Sequence, residues 1–320
     1  MAENRKIKIV AVVGPTASGK TALSIELARR IGGEVVCCDS MQIYRRMDIG
    51  TAKPTEEERG DVPHHLFDFT DPETPYSCAE YVRDAAKAIE KIASRGAIPV
   101  LCGGTGLYLD SLLRGGRFEE TEVDHALRQS LLTFAETNGN HALHERLSEL
   151  DPESADAIHE NNVKRVVRAI EICMTSGMTK TEADRRSREV ESPYDATVIG
   201  LRFADRALLY DRIDRRVDMM LEAGLLDETK RLVLEGVFAK NATAAQAIGY
   251  KELLGYLDGE TSLLQAVDTL KRATRRYAKR QMTWFGAKDY VRFLTVDRDG
   301  AMRTAEELLA DALSMIERHE

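Results

Sequence analysis

Ile7-Lys8-Ile9-Val10-Ala11-Val12-Val13 is a short, β-branched apolar run of the kind that forms a strand buried on both faces. After a glycine-rich break, Ala22, Leu23, Ile25, Leu27, Ala28 and Ile31 recur at helical spacing until Gly32-Gly33 stops the helix. Residues 34–38 predict a second strand that ends at Asp39-Ser40. The proline-rich stretch 45–76 has no clear periodicity, and functional loops are often that long. A helix is predicted over 77–95, with Ser77 as N-cap, Glu80 at the capping-box position and Gly96 at its end. Residues 98–102 read as a third strand, running into Gly103-Gly104-Thr105-Gly106. Strands separated by helices imply a parallel sheet with right-handed crossovers.

From about 118 the texture changes. Segments 124–136, 141–150 and 153–175 read as charged amphipathic helices with no strand between them. Strand character returns at 197–201. Helices follow at 206–222, 225–235, 244–257 and 261–284, then a strand at 289–295 and a last helix from about 303. The expected organisation is a core of residues 1–117 and 196–320 with a small helical insert at 118–195.

The chain has 320 residues, 43% hydrophobic and 31% charged, which predicts a soluble globular protein. No window approaches a membrane span, and the N-terminus leads into a strand rather than a signal peptide. Cytoplasmic location and a monomer are expected. Cys37, Cys38, Cys78, Cys102 and Cys173 form no C-x-x-C pair and no zinc spacing, so they read as small packed residues in a reducing compartment. The net charge of −8 argues against a uniformly basic nucleic-acid binder but leaves room for a local basic site.

Chemistry enters at residues 14–21, Gly14-Pro15-Thr16-Ala17-Ser18-Gly19-Lys20-Thr21, which fit the phosphate-binding loop G-x-x-x-x-G-K-[ST] between a strand and a helix. Its backbone N–H groups would cradle phosphate oxygens, Lys20 would add a point charge, and the Thr21 hydroxyl can ligate Mg²⁺. The fold expected is therefore α/β, a three-layer P-loop fold with a parallel sheet. Asp39 ends the second strand and should face the loop's phosphate, because ligands of open α/β sheets bind beyond the strands' carboxyl ends. It could bind Mg²⁺, accept a proton or cap the next segment. P-loop ATPases and GTPases usually hold Mg²⁺ with an acid at a strand end, where this chain has Gly103-Gly104. The guanine-reading N-K-x-D signature is missing as well. Within 271–280, Lys271, Arg272, Arg275, Arg276, Lys279 and Arg280 fall in one half of a helix circumference with no acid among them, which favours a polyanion. Trp284 just beyond would stack on a base or pack. Lys164-Arg165-Val166-Val167-Arg168 repeats the basic theme in the insert, and His64-His65 reads as loop.

Residues 14–21, Asp39-Ser40-Met41-Gln42-Ile43-Tyr44-Arg45, Asp48-Ile49-Gly50-Thr51-Ala52-Lys53-Pro54, His64-His65-Leu66, residues 103–108, Gln246-Ala247-Ile248-Gly249-Tyr250-Lys251-Glu252 and residues 277–285 together resemble the successive signatures of the bacterial tRNA dimethylallyltransferase family. The resemblance spans 7 to about 285. It implies transfer of a dimethylallyl group from its diphosphate to N6 of the adenosine just 3′ of the anticodon. Residues 14–21 would then hold the diphosphate, with Mg²⁺ on Thr21, and Asp39 would take the proton from the amine. Ser40, Met41 and Gln42 would hold a flipped-out adenine, with Thr105 beside the transfer site. The resemblance also implies tRNA contacts from Arg128 and residues 164–168, and from Gln246, Gly249, Tyr250, Lys251, Lys279, Arg280, Gln281 and Trp284. Arg216, or its neighbour Arg212, would assist the diphosphate.

The family often has arginine after Trp-Phe, where this chain has Gly286; Lys288 is the candidate replacement for that phosphate contact. The eukaryotic zinc-finger tail is absent. From the residues alone, a small-molecule kinase remains an alternative, as does a prenyltransferase acting on free adenine nucleotides. A non-enzymatic RNA-binding module would leave Lys20, Thr21 and Asp39 without a task.

Overall fold

The computed structural model describes residues 6–115, 124–189 and 191–319. The first part of the core runs β1 (Ile7–Val13), α1 (Lys20–Ile31), β2 (Gly33–Cys37), α2 (Glu56–Arg59), β3 (His64–His65), α3 (Cys78–Ser94), β4 (Ile98–Gly103) and α4 (Gly106–Leu113). The insert holds α5 (His125–Leu150), α6 (Pro152–Ala157), α7 (Val163–Ser176) and α8 (Lys180–Glu189). The core resumes with β5 (Tyr194–Arg202), α9 (Arg206–Glu222), α10 (Leu225–Leu234), α11 (Val237–Lys240), α12 (Lys251–Leu257), α13 (Leu263–Gly286), β6 (Val291–Thr295), β7 (Asp297–Arg298), β8 (Ala301–Met302) and α14 (Ala305–Glu317). Two compact units result, one of Met1–Leu113 with Pro193–Glu320 and the other of Arg114–Ser192.

The core sheet is parallel, in the order β3-β2-β4-β1-β5-β6. Its apolar strands are covered on both faces. Val10, Val12, Val35 and Val100 meet Leu23, Leu27, Leu308 and Ala312 of α1 and α14. Ile9, Ala11, Val36 and Leu101 meet Tyr81, Ile89, Leu109 and Phe285 of α3, α4 and α13. This is the three-layer α/β arrangement the strand pattern predicts. Register aligns Val13 with Gly103 and Cys37 with Cys102, so the chain leaves β1, β2 and β4 side by side along one carboxyl edge. Gly14 has φ +141°, and a Cβ there would lie 2.7 Å from the Leu201 carbonyl, so only glycine lets β1 turn into the loop here.

Ser77 and Glu80 form the expected capping box at the start of α3. Other local expectations needed revision. His64-His65 is a short edge strand paired with Val35-Val36, not a loop. Helix 153–175 is two helices, α6 and α7, broken at 158–162. The predicted helix 244–257 is a 3₁₀ turn, Ala244–Gln246, and then α12, because Gly249 turns away at φ +115°. The insert has its own small core, built on Leu131, Leu143, Leu147, Val166, Val167 and Ile170. Among the described residues, no helix is long and apolar enough to cross a membrane.

Candidate active site

A cavity of 270 Å³ opens at the carboxyl edge of the sheet, within the core unit. Thr16, Lys20 and Thr21 line it from the loop after β1, Asp39 to Gln42 from the end of β2, and Cys102 and Gly103 from β4. Gly50, Thr51 and Ala52 close one side; Gln246 to Gly249 and Lys251 close another. Ile213, Arg216, Val217 and Met220 recur at helical spacing on α9 and present one stripe to the cavity. Leu270, Thr274, Tyr277, Arg280 and Gln281 do the same from α13.

The loop end of the cavity is built by backbone geometry and half-buried cations. Ala17 (φ 63°) and Gly19 (φ 91°) bend the loop in the left-handed region. Lys20 Nζ donates to the Pro15 carbonyl at 2.7 Å. Burial drives its ammonium down to about 8, opposed by Cys102 and Asp39 and helped by Arg216. Arg216 reaches Thr16 Oγ1 at 3.5 Å and the Ala52 carbonyl at 3.3 Å, and burial lowers its proton affinity too. Arg212 does not line the cavity. Its Nε donates to the Ala17 carbonyl at 3.0 Å, so it braces the loop from outside.

Asp39 Oδ1 accepts the N–H groups of Met41 at 2.9 Å and Gln42 at 3.4 Å, which fixes the carboxylate in the turn after β2. Gln42 Nε2 donates to the carbonyls of Thr51 and Ala52 at 3.1 and 3.2 Å. Thr105 is not in the cavity wall. Its hydroxyl accepts the Ser40 N–H at 3.0 Å and donates to Ser40 Oγ at 3.3 Å, so it shapes the 39–42 turn from behind.

Several residues expected to touch RNA are committed elsewhere. Val166 and Val167 are buried in the insert core, so their side chains cannot reach a ligand; their place on the inner face of α7 leaves Lys164 and Arg165 exposed. Arg128 makes a bidentate pair with buried Glu171 at 2.6 and 2.7 Å, and Arg168 joins the same carboxylate at 3.3 Å. Tyr250 is fully buried, with its hydroxyl on Glu228 at 2.7 Å. Gln281 lines the cavity but is 5% exposed and bridges two loops. Trp284 packs half-buried against Gly106 and the core. Lys288, the candidate substitute beside Gly286, is paired with Asp110 at 2.5 Å. The basic stripe is not unmixed in three dimensions: Lys271 pairs with Asp218 and Arg275 with Asp214, each at 2.6 Å across to α9. Lys279 and Arg280 are exposed, Arg280 at the cavity rim, and Gln246 and Lys251 are exposed beside it.

Sequence reasoning missed Tyr277 as a site residue. Its ring lines the cavity next to Asp39 and Thr105, with the Arg280 guanidinium 5.5 Å from its centroid. Burial, then the charge of Asp39, holds it as a neutral phenol. It also missed the aliphatic wall of Ile213, Val217, Met220, Ile248 and Leu270. The i, i+4, i+7 spacing on α9 was the available signal, but it reads equally as core.

The arrangement places a cationic glycine-rich loop, an aliphatic wall and a fixed carboxylate around one small volume. The family pattern described as "IPP transferase" matches residues 42–288, and that described as "Isopentenyl transferase" matches 7–64. A tRNA dimethylallyltransferase of Halalkalibacterium halodurans is 50% identical over 283 residues, covering 88% of this chain and 89% of the relative. One from Bacillus cytotoxicus is 48% identical over 308 residues, 96% of each. The crystal structure of a tRNA isopentenylpyrophosphate transferase from Bacillus halodurans superposes with a TM-score of 0.71 at 45% identity, covering 98% of both chains. A eukaryotic dimethylallyltransferase acting on tRNA gives a TM-score of 0.83 at 29% identity, covering 98% of this chain and 80% of that one.

Proposed function

The chain belongs to the IPP transferase family, and from that premise we propose that it transfers a dimethylallyl group from dimethylallyl diphosphate to N6 of the adenosine just 3′ of the anticodon in tRNA. The observation that carries this reading is the shared cavity: Lys20, Thr21 and Arg216 at one end, Asp39 to Gln42 at the other, and an aliphatic wall between. That wall suits an apolar prenyl chain beside the diphosphate.

The chemistry is one displacement. The N6 lone pair forms a bond to C1 of the dimethylallyl group as the C1–O bond to diphosphate breaks. The N6 proton passes to Asp39, whose other oxygen is held by two backbone N–H groups. Negative charge grows on the departing diphosphate, where Lys20, Arg216 and the loop's N–H groups stabilise it. An adenine within a stacked anticodon loop must leave the stack to enter so small a volume. Exposed Lys279, Arg280, Gln246 and Lys251 at the rim then meet the stem-loop.

Mg²⁺ fits the donor set. In phosphate-binding loops of this kind the Ser/Thr hydroxyl is one ligand and phosphate oxygens and water supply most of the rest; Thr21 offers that hydroxyl at the cavity wall. Among the described residues, no cluster of three His, Cys, Asp or Glu forms a dedicated cage for an ion. Bound there, the ion would neutralise charge on the leaving diphosphate.

The test combines the protein, Mg²⁺, labelled dimethylallyl diphosphate and an anticodon stem-loop carrying adenosine at that position. Label should enter the RNA. Transfer of the γ-phosphate of ATP to a small molecule, with no label in RNA, would instead support a kinase.

A further inference from the structure

Glu228 on α10 is 5% exposed and does not line the cavity. Its carboxylate nevertheless accepts the backbone N–H groups of three consecutive residues: Asp48 at 3.1 Å, Ile49 at 3.0 Å and Gly50 at 3.0 Å. A fourth donor is the Tyr250 hydroxyl at 2.7 Å. A buried carboxylate is costly unless its lone pairs are filled, and here four donors fill them. What those donors belong to is the informative part. Asp48, Ile49 and Gly50 lead into Thr51 and Ala52, and Tyr250 follows Gly249; Gly50, Thr51, Ala52 and Gly249 all line the cavity. One carboxylate therefore joins two of its walls.

The joint is tight. A Cβ at Gly50 would lie 2.3 Å from Cζ of the Tyr250 ring, and one at Gly249 would lie 2.9 Å from the Gly50 carbonyl. From the segment so fixed, the carbonyls of Thr51 and Ala52 hold the Gln42 amide, and the Ala52 carbonyl also holds Arg216. Gln42 stands three residues from Asp39, while Arg216 touches Thr16 of the phosphate loop. The position of a single loop thus sets one group on each side of the transfer.

We propose that Glu228 is a positioning residue for group transfer: by anchoring residues 48–50 and Tyr250 it fixes the Thr51-Ala52 carbonyls, and through them the separation of Gln42 from Arg216. This rests on the reading of the cavity as a prenyl-transfer site. A misplacement of about 1 Å between reacting groups can cost on the order of 100-fold in rate. Glu228 would act through that distance and not through contact with substrate.

The test compares the full chain with Glu228→Gln, Glu228→Asp and Tyr250→Phe, each confirmed folded by circular dichroism well below its Tm. Glu228→Gln keeps the shape but offers one oxygen to three N–H groups. Its kcat for transfer to the stem-loop should fall about 10- to 100-fold. Its affinity for inorganic pyrophosphate should fall much less than kcat, because Lys20 and the N–H groups of residues 14–21 do not touch Glu228 and only Arg216 is reached, through the Ala52 carbonyl. Glu228→Asp, which restores the charge, should recover part of kcat, and Tyr250→Phe should show a smaller loss of kcat. A folded Glu228→Gln with wild-type kcat, or one losing pyrophosphate affinity in parallel with kcat, overturns the proposal. If Glu228→Gln does not fold, wild-type kcat in Tyr250→Phe overturns it. A wild-type chain without transfer activity sinks the reading of the cavity and this inference with it; wild-type transfer with unaffected variants sinks the inference alone.

Discussion

Gln281 Oε1 accepts the Thr16 N–H at 2.8 Å across 265 positions of the chain, while its Nε2 donates to the Gly104 carbonyl at 3.0 Å. A buried side-chain amide on α13 thereby ties the phosphate loop to the glycine turn after β4. α13 carries basic residues on its outer side and the lock for the cradle on its inner side.

Gln281→Leu keeps the volume but leaves the Thr16 N–H and the Gly104 carbonyl without this partner. A fully buried orphan costs about 1–3 kcal/mol; with the Gly104 carbonyl buried and the Thr16 N–H only partly so, stability should fall by about 1–4 kcal/mol in urea unfolding, with m unchanged. A loss below about 0.5 kcal/mol would show that the bridge does not hold the loop.

Lys20 gives the site its pH dependence. Burial lowers its ammonium from an ordinary 10.5 to about 8. In the empty protein the charge is lost as pH rises through about 8, so pyrophosphate affinity should decline across that range. The anion itself favours the charged form, so binding should take up protons near pH 8. Because the folded value lies below the unfolded one, the lysine's contribution to the stability of the empty fold rises from about 8 to 10.5. Calorimetry of pyrophosphate binding at pH 7 and pH 9 reads the effect, and Lys20→Met should flatten it.

Asp39→Asn retains an oxygen for the Met41 N–H and so should preserve the turn. Losing a general base costs about 100- to 10,000-fold. Single-turnover transfer should fall in that range while stem-loop affinity changes less than about threefold. A large binding loss with modest slowing would assign Asp39 to holding the base.

The basic run on α13 divides in two. Lys279→Ala with Arg280→Ala should reduce the slope of log affinity against log salt by about 1.5. Lys271→Ala with Arg275→Ala should leave the slope nearly unchanged, because Asp218 and Asp214 already neutralise those charges. Its stability cost should stay within about 1 kcal/mol, as for partly exposed pairs. Equal slopes in the two double variants would show that ion pairing does not decide which residues meet RNA.

These contrasts follow how the molecule writes itself into its sequence. Residues 14–21 and Asp39 were legible because a glycine loop between strand and helix, and an acid at a strand end, are local in the chain. The parallel sheet was legible from uninterrupted apolar strands such as Ile7–Val13. Glu228, Tyr277 and the bridging role of Gln281 were not, since they depend on partners up to 265 positions away. The unmixed appearance of the 271–280 run misled for the same reason: its acids stand on α9. Val166 and Val167 were readable in principle, because helical period puts Val166 opposite Lys164 and Val167 opposite Arg165. Counting them with their basic neighbours hid that.

The carboxylate at the end of β2 and the glycine loop after β1 are expected to act on one reaction. The most direct test digests the stem-loop to nucleosides after incubation with dimethylallyl diphosphate and Mg²⁺, using wild-type and Asp39→Asn protein. Wild-type protein should yield N6-(dimethylallyl)adenosine from the position just 3′ of the anticodon, and Asp39→Asn only a trace at equal RNA occupancy. Unmodified adenosine in both, or equal modification in both, would contradict this.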